Sequence, residues 1–241
     1  MSDIKHTVKS FEDDLIELKS KVLQMGELVR KATRRSMNSL IKNDPDRAHR
    51  VIERDSSINA LEVEIDNLTR DIIALRQPAA SDLRFVLSIA KIVTDLERMG
   101  DLAENIAICM LKTEEHPVIE LESLRTLSAK VMNQISVSIK AFDENDAELA
   151  LRCIANDRKI DARYKSIQRE YITYMLEDPR QITGGLIATD IAKFLERIAD
   201  HAVNISEMVI YMVKGHDVRH IDRKTAEALI SGEMPEEDDD E

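Results

Sequence analysis

Leu96-Glu97-Arg98-Met99-Gly100-Asp101 and, 99 residues later, Leu195-Glu196-Arg197-Ile198-Ala199-Asp200 are near copies of each other, and the match runs on to Asn105/Asn204 and Ile106/Ile205. Self-similarity at a fixed offset marks a duplicated structural unit. The register holds upstream as well: Asp55, Ile58 and Asn59 align with Asp157, Ile160 and Asp161 at an offset of 102. The repeat therefore spans whole units and not only a motif.

Around each motif the chain reads as three long helices. Gly (6) and Pro (5) are scarce and aromatics make up 3% of 241 residues, which leaves little material for turns or strands. The apolar spacing predicts helices over about 7–42, 45–75, 82–115, 121–143, 147–177 and 185–214. In the first, Phe11, Leu15, Leu18, Val22, Met25, Val29 and Ala32 form a seam of threes and fours. The second has Ile58, Leu61, Ile65, Leu68, Ile72 and Leu75; the fifth turns Ile160, Tyr164, Ile167, Tyr171 and Tyr174 inward. Asp44-Pro45 and Ser81-Asp82 read as helix starts, Gln77-Pro78 and Asp178-Pro179 as breaks, and Gly215 as a left-handed stop. The expected fold is all-α: two tandem three-helix bundles, up-down-up, end to end or side by side, forming an elongated six-helix rod. Residues 1–115 make the first repeat and 116–220 the second. Residues 221–241 make a short amphipathic piece and an acidic tail expected to be disordered.

Charge narrows the function. The net charge is −12, and seven of the last nine residues are acidic, so the tail carries more than half of it. No basic block interleaved with aromatics suggests nucleic acid, and the acidic balance argues against passive binding to an anionic membrane. The N-terminus has no apolar signal-like run, and no apolar run approaches the roughly 18 residues of a membrane span. A soluble intracellular protein is expected, with Cys109 and Cys153 as buried thiols in a reducing compartment.

The motif places a Glu-x-x-x-Asp pair on one helix face twice, although carboxylates four apart repel mildly. Taking Leu96/Ala103 and Met99/Ile106 as the seam, Glu97 and Asp101 fall outside it, as do Glu196 and Asp200. Asp55, Asn59, Glu62 and Asp66 form a second acidic stripe beside the seam of helix 2, and Asp157 and Asp161 open the matching stripe on helix 5. Where these stripes meet the motifs, a groove suits a hard divalent cation with oxygen ligands. His201, beside Asp200, widens the choice towards iron, manganese or zinc in the second half. The bland alternative is a solvated helix face, its charge offset by Arg98 and Arg197. An oxygen-activating di-iron bundle needs inward Glu and Glu-x-x-His groups, and no Glu-x-x-His occurs. No Gly-rich phosphate loop, nucleophile elbow or Cys/His zinc framework is present. His216-x-x-x-His220 lacks a third ligand, Asp46-x-x-His49 reads as a solvated first turn, and Arg76-Gln77-Pro78 with Arg84 reads as a helix break with a basic last turn.

The paired Leu-Glu-Arg-x-x-Asp motifs, the segment Arg76-Gln77-Pro78-Ala79-Ala80-Ser81-Asp82-Leu83-Arg84 and the ending Val213-Lys214-Gly215-His216-Asp217-Val218-Arg219-His220 resemble the PhoU family of bacterial phosphate-uptake regulators. The resemblance covers about residues 8–230. It implies a non-enzymatic, cytoplasmic, often dimeric adaptor, peripherally associated with a transporter complex. Such an adaptor links the ATPase subunit of the phosphate ABC transporter to a phosphate sensor histidine kinase and holds the phosphate-starvation response off. It implies a divalent metal or an iron cluster at Glu97, Asp101, Glu196 and Asp200, with Mg, Mn, Fe and Zn as the candidate metals. Face geometry adds Asp55, Glu62, Asp157 and Asp161. The rival functions are a metal-binding structural scaffold without a phosphate role, a metalloenzyme, and a direct phosphate sensor, whose acidic surface would need bound metal to attract anions.

Overall fold

The computed structural model describes residues 2–219 and Thr225, with side chains from Ser10 onward. The amphipathic piece and acidic tail therefore lie outside the described residues, except Thr225, as does His220. The described chain is built of helices α1 (Ser2–Lys42), α2 (Pro45–Arg76), α3 (Ala80–Lys112), α4 (Glu122–Glu144), α5 (Ala147–Glu177) and α6 (Ile182–Lys214), with a 3₁₀ turn at Pro179–Gln181. Among the described residues no helix is long and apolar enough to cross a membrane.

The boundaries follow local chemistry. Asp44 and Asp146 each accept the backbone N–H of the third residue on, Arg47 at 2.9 Å and Leu149 at 2.8 Å, closing the first turns of α2 and α5. Gln77, Asn145 and Gly215 stop α2, α4 and α6 in the left-handed region. The cap expected at Ser81-Asp82 is not used. α3 starts at Ala80 with no side-chain cap, because the Asp82 N–H donates to the Ala79 carbonyl at 3.1 Å and closes that turn with backbone alone. Leu75, expected in the α2 seam, is 77% exposed. A straight helix drifts from a seven-residue repeat, and here α2 has reached the end of its bundle, where Arg76 pairs with Asp14 at 2.8 Å. Tyr164 and Tyr174 are only half-buried, at the edge of the α5 seam, while Ile160, Ile167 and Tyr171 are buried. Tyr171 donates to the Glu120 carbonyl at 2.6 Å, which satisfies its buried hydroxyl.

Each repeat packs its three helices together, and the repeats lie side by side through α3 against α6 and α1 against α4. Lys19 reaches the Asp143 carbonyl, and Ile139 packs so closely on Gly26 that a Cβ there would meet it at 2.8 Å. α3 and α6 hold the most buried side chains and run antiparallel, since Asp95 meets His201 and Asn204 while Leu87 lies near Tyr211. Antiparallel pairing combined with the 99-residue offset puts a pseudo-two-fold axis at Met99–Gly100 against Ile198–Ala199. All four residues are buried. That point is the middle of both acidic motifs, so the fold presents them at one height, on either side of one axis. The stripe Leu87, Lys91, Thr94 and Arg98 on α3, and Leu186, Asp190, Lys193 and Arg197 on α6, faces solvent.

Candidate functional site

Two groups of three carboxylates form where α2 meets α3 and where α5 meets α6. Asp55, Asp101 and Glu104 bring one ligand atom each within 4.8 Å of one another, and Asp157, Asp161 and Asp200 do the same. Gly100 sets the first approach. A Cβ there would lie 3.0 Å from Ile58 Cδ1 and 3.3 Å from Asp55 Oδ1, so a small residue lets α2 carry Asp55 up to the motif. Ala199 holds the equivalent place in the second repeat.

The two groups are not copies. Asp55 and Asp157 correspond, as do Asp101 and Asp200. The third carboxylate, however, is Glu104 of α3 in the first group and Asp161 of α5 in the second. Their counterparts are Val203 and Asn59. Asn59 donates to Asp55 Oδ2 at 3.0 Å, so the first site has an amide where the second has a charge.

Burial and crowded negative charge hold Asp55, Glu104, Asp157 and Asp200 towards their neutral forms. Burial, then Asp161, Asp200 and Glu196, push Asp157 up to about 7. Burial and Asp101 raise Asp55 against the Asn59 hydrogen bond. Burial raises Glu104, with Asp55 and Asp101 adding to it, and burial with Asp161 raises Asp200. Asp157 Oδ1 is also buried without a hydrogen-bond partner. An orphaned carboxylate oxygen among like charges is what a cation would satisfy. The donors are all oxygens, which suits hard ions such as Mg²⁺ or Mn²⁺, so the residues fit a metal.

Of the sequence-predicted ligands, Asp55, Asp101, Asp157, Asp161 and Asp200 are brought together in the two groups. Glu97, Glu62 and Glu196 flank them. Burial and Asp101 raise Glu97, burial and Asp66 raise Glu62, and burial and Asp200 raise Glu196. Arg98 stands 3.5 Å from Glu97 and 3.7 Å from Asp101, offsetting charge at the first site; Arg197 makes no such ion pair among the described residues. His201 does not join the second group. Its Nδ1 lies 2.8 Å from Asp95 Oδ1, which also accepts from Asn204 at 3.0 Å, so the ring is tied to α3 instead. Glu104 is not marked by the repeat, because its counterpart is Val203. The signal was its place three residues beyond Asp101 on the same face.

A duplicated three-helix bundle that brings three carboxylates together in each repeat defines a class of all-helical proteins built around a repeated acidic site. The PhoU domain family matches residues 22–110 and 124–209, and the chain belongs to this non-enzymatic family. It is 44% identical over 230 residues to the "Phosphate-specific transport system accessory protein PhoU homolog" of Pseudomonas putida, covering 94% of this chain and 90% of that one. It is 37% identical over 230 residues to the "Phosphate-specific transport system accessory protein PhoU" of Escherichia coli (strain K12), covering 95% of each. The crystal structure of PhoU from Pseudomonas aeruginosa superposes with a TM-score of 0.83 at 41% identity, covering 86% of this chain and 100% of that one. That of the phosphate transport system regulatory protein PhoU from Streptococcus pneumoniae superposes at 0.81 and 32%, covering 86% and 99%.

Proposed function

We propose that this protein is an accessory regulator of phosphate-specific transport. In this reading it is a cytoplasmic, homodimeric adaptor, peripherally associated with the phosphate ABC transporter through its ATPase subunit, and it also engages a phosphate sensor histidine kinase. It helps keep the phosphate-starvation response off when phosphate is plentiful. The observation that carries the proposal is the pair of carboxylate groups set at one height across the α3/α6 axis, in a chain that belongs to the PhoU family.

A divalent cation would be held by Asp55, Asp101 and Glu104 in the first site and by Asp157, Asp161 and Asp200 in the second, with Glu97, Glu62 and Glu196 at the rims. Bound there, it would neutralise local charge and offer a positive centre to an acidic partner. Charged faces of this kind choose partners and set encounter rates more than they add affinity. The test is co-purification of the transporter ATPase and the sensor kinase with the wild type and with the Glu97/Asp101/Glu196/Asp200 quadruple Ala variant, with metal analysis of both. Capture by the wild type and its loss in a folded variant that carries less metal support the reading. Capture of neither partner leaves the structural scaffold as the better account.

A further inference from the structure

On the α3/α6 face, above the Asp95–His201 contact, a cleft lies outside the carboxylate groups. Its two lobes, about 460 and 350 Å³, share Ala90, Lys91, Met208 and Arg219 and so adjoin each other. The sequence makes its third wall at the end of α6. Gly215 turns the chain back in the left-handed region, Val218 is buried in the core, and Asp217 and Arg219 are thereby held over the α3/α6 groove. Arg219 is committed to Asp217 by paired hydrogen bonds, the Nε–Oδ1 contact being 2.8 Å. Among the described residues Lys91 makes no hydrogen bond or close ion pair; it acts on Asp217 through space, so its ammonium is left without a direct contact in the cleft.

The apolar floor is Leu87, Ala90 and Met208, with Tyr211 at its end. Ser88, 1% exposed, lines the same lobe, and its Oγ has no hydrogen-bond partner. Glu207 lines the other lobe, and burial pushes its carboxyl up to about 7 despite Arg219. Near neutral pH its repulsion is therefore weakened, and its protonated form can donate a hydrogen bond. The cleft is not a by-product of the duplication. At the equivalent positions Lys91 becomes Asp190, Ser88 becomes Ile187, Asp95 becomes Phe194 and Glu207 becomes Ile108. One half of the α3/α6 face thus has a cation at 91 and an unsatisfied hydroxyl at 88 where the other half has a carboxylate and an isoleucine.

We propose that this cleft binds a small amphipathic monoanion. The head group sits on Lys91, in the cleft that Ser88 and Glu207 also line, and the apolar body lies along Leu87, Ala90 and Met208. Its size matches ordinary small-molecule pockets, which combine apolar walls with a few convergent polar groups. A multiply charged anion fits less well, because Asp95 and Asp217 border the space.

The test is a titration of the ¹⁵N-labelled full chain with decanoate, below its micelle concentration, followed by NMR. Saturable shifts confined to residues 87–95, 204–211 and 217–219 are expected. Lys91→Glu should weaken binding by roughly tenfold or more, the effect of losing a charge-assisted contact, while its spectrum elsewhere stays that of the folded protein. Absence of saturable shifts, shifts scattered over the surface, or unchanged affinity in Lys91→Glu would overturn the proposal. Metal binding and partner capture do not enter this readout, so its outcome is independent of the proposed regulatory role.

Discussion

Asp157→Asn should make the metal-free protein more stable at pH 8. Asp157 is raised from 3.8 to about 7 by burial and by Asp161, Asp200 and Glu196. At full value that difference is about 4 kcal/mol against the charged form. The side chain is only partly buried and water screens it, so about half, ~2 kcal/mol, is the gain expected from removing the charge. For a chain of this length that is a rise in Tm of roughly 4–8 °C. The sign depends on pH in a defined way. The folded state keeps a proton on Asp157 that the unfolded chain releases near 3.8, so this site's contribution is intact below about pH 4 and is lost as pH rises through about 7. The advantage of Asn should therefore shrink to a few tenths of a kcal/mol at pH 4. Urea melts in EDTA at pH 4 and pH 8, repeated at pH 8 with excess Mn²⁺, read all of this. Mn²⁺ should stabilise the wild type more than the variant, because ligand bound to the folded state adds stability by mass action. Equal stability of the two proteins at pH 8 in EDTA, or a Mn²⁺ effect of the same size in both, would refute the reasoning.

Two further outcomes follow from the same geometry. Gly184→Ala should cost roughly 1–3 kcal/mol in a urea melt, because its Cβ would collide with the backbone carbonyl oxygen of Pro117; Gly100→Ala should cost less, since the nearest atom is a side-chain methyl of Ile58 at 3.0 Å. Glu104→Gln should lower Mn²⁺ affinity at the first site only, while Asn59→Asp should raise it there, both read by calorimetry on a chain whose second site is disabled by Asp200→Asn.

The long helices and their pairing were legible because the apolar spacing is regular over whole helices and the duplicated motif fixes the register of one half against the other. Five of the six clustered carboxylates were legible: Asp55, Asp101, Asp157 and Asp200 recur at fixed offsets, and Asp161 lies four residues beyond Asp157 on the same helix face. Glu104 was not, because it breaks the repeat; a third ligand supplied by α3 in one half and by α5 in the other leaves no duplicated trace. His201 misled because adjacency in sequence to Asp200 points a helical side chain about 100° away, here towards Asp95. The start of α3 was misplaced because Ala79 closes it with its own carbonyl, and a backbone cap has no residue signature. The cleft beside Lys91 was invisible for a different reason: it needs the turn at Gly215 to bring Asp217 and Arg219 back over α3, a tertiary event that spacing does not encode.

The most direct test of the central claim is a phosphate-starvation reporter in cells lacking this protein, complemented by the wild type or by Asp55→Ala/Asp101→Ala/Asp157→Ala/Asp200→Ala, with protein levels matched. In abundant phosphate the wild type should silence the reporter and the variant should leave it on. Full silencing by the folded variant would contradict the claim that the carboxylate sites carry the regulation.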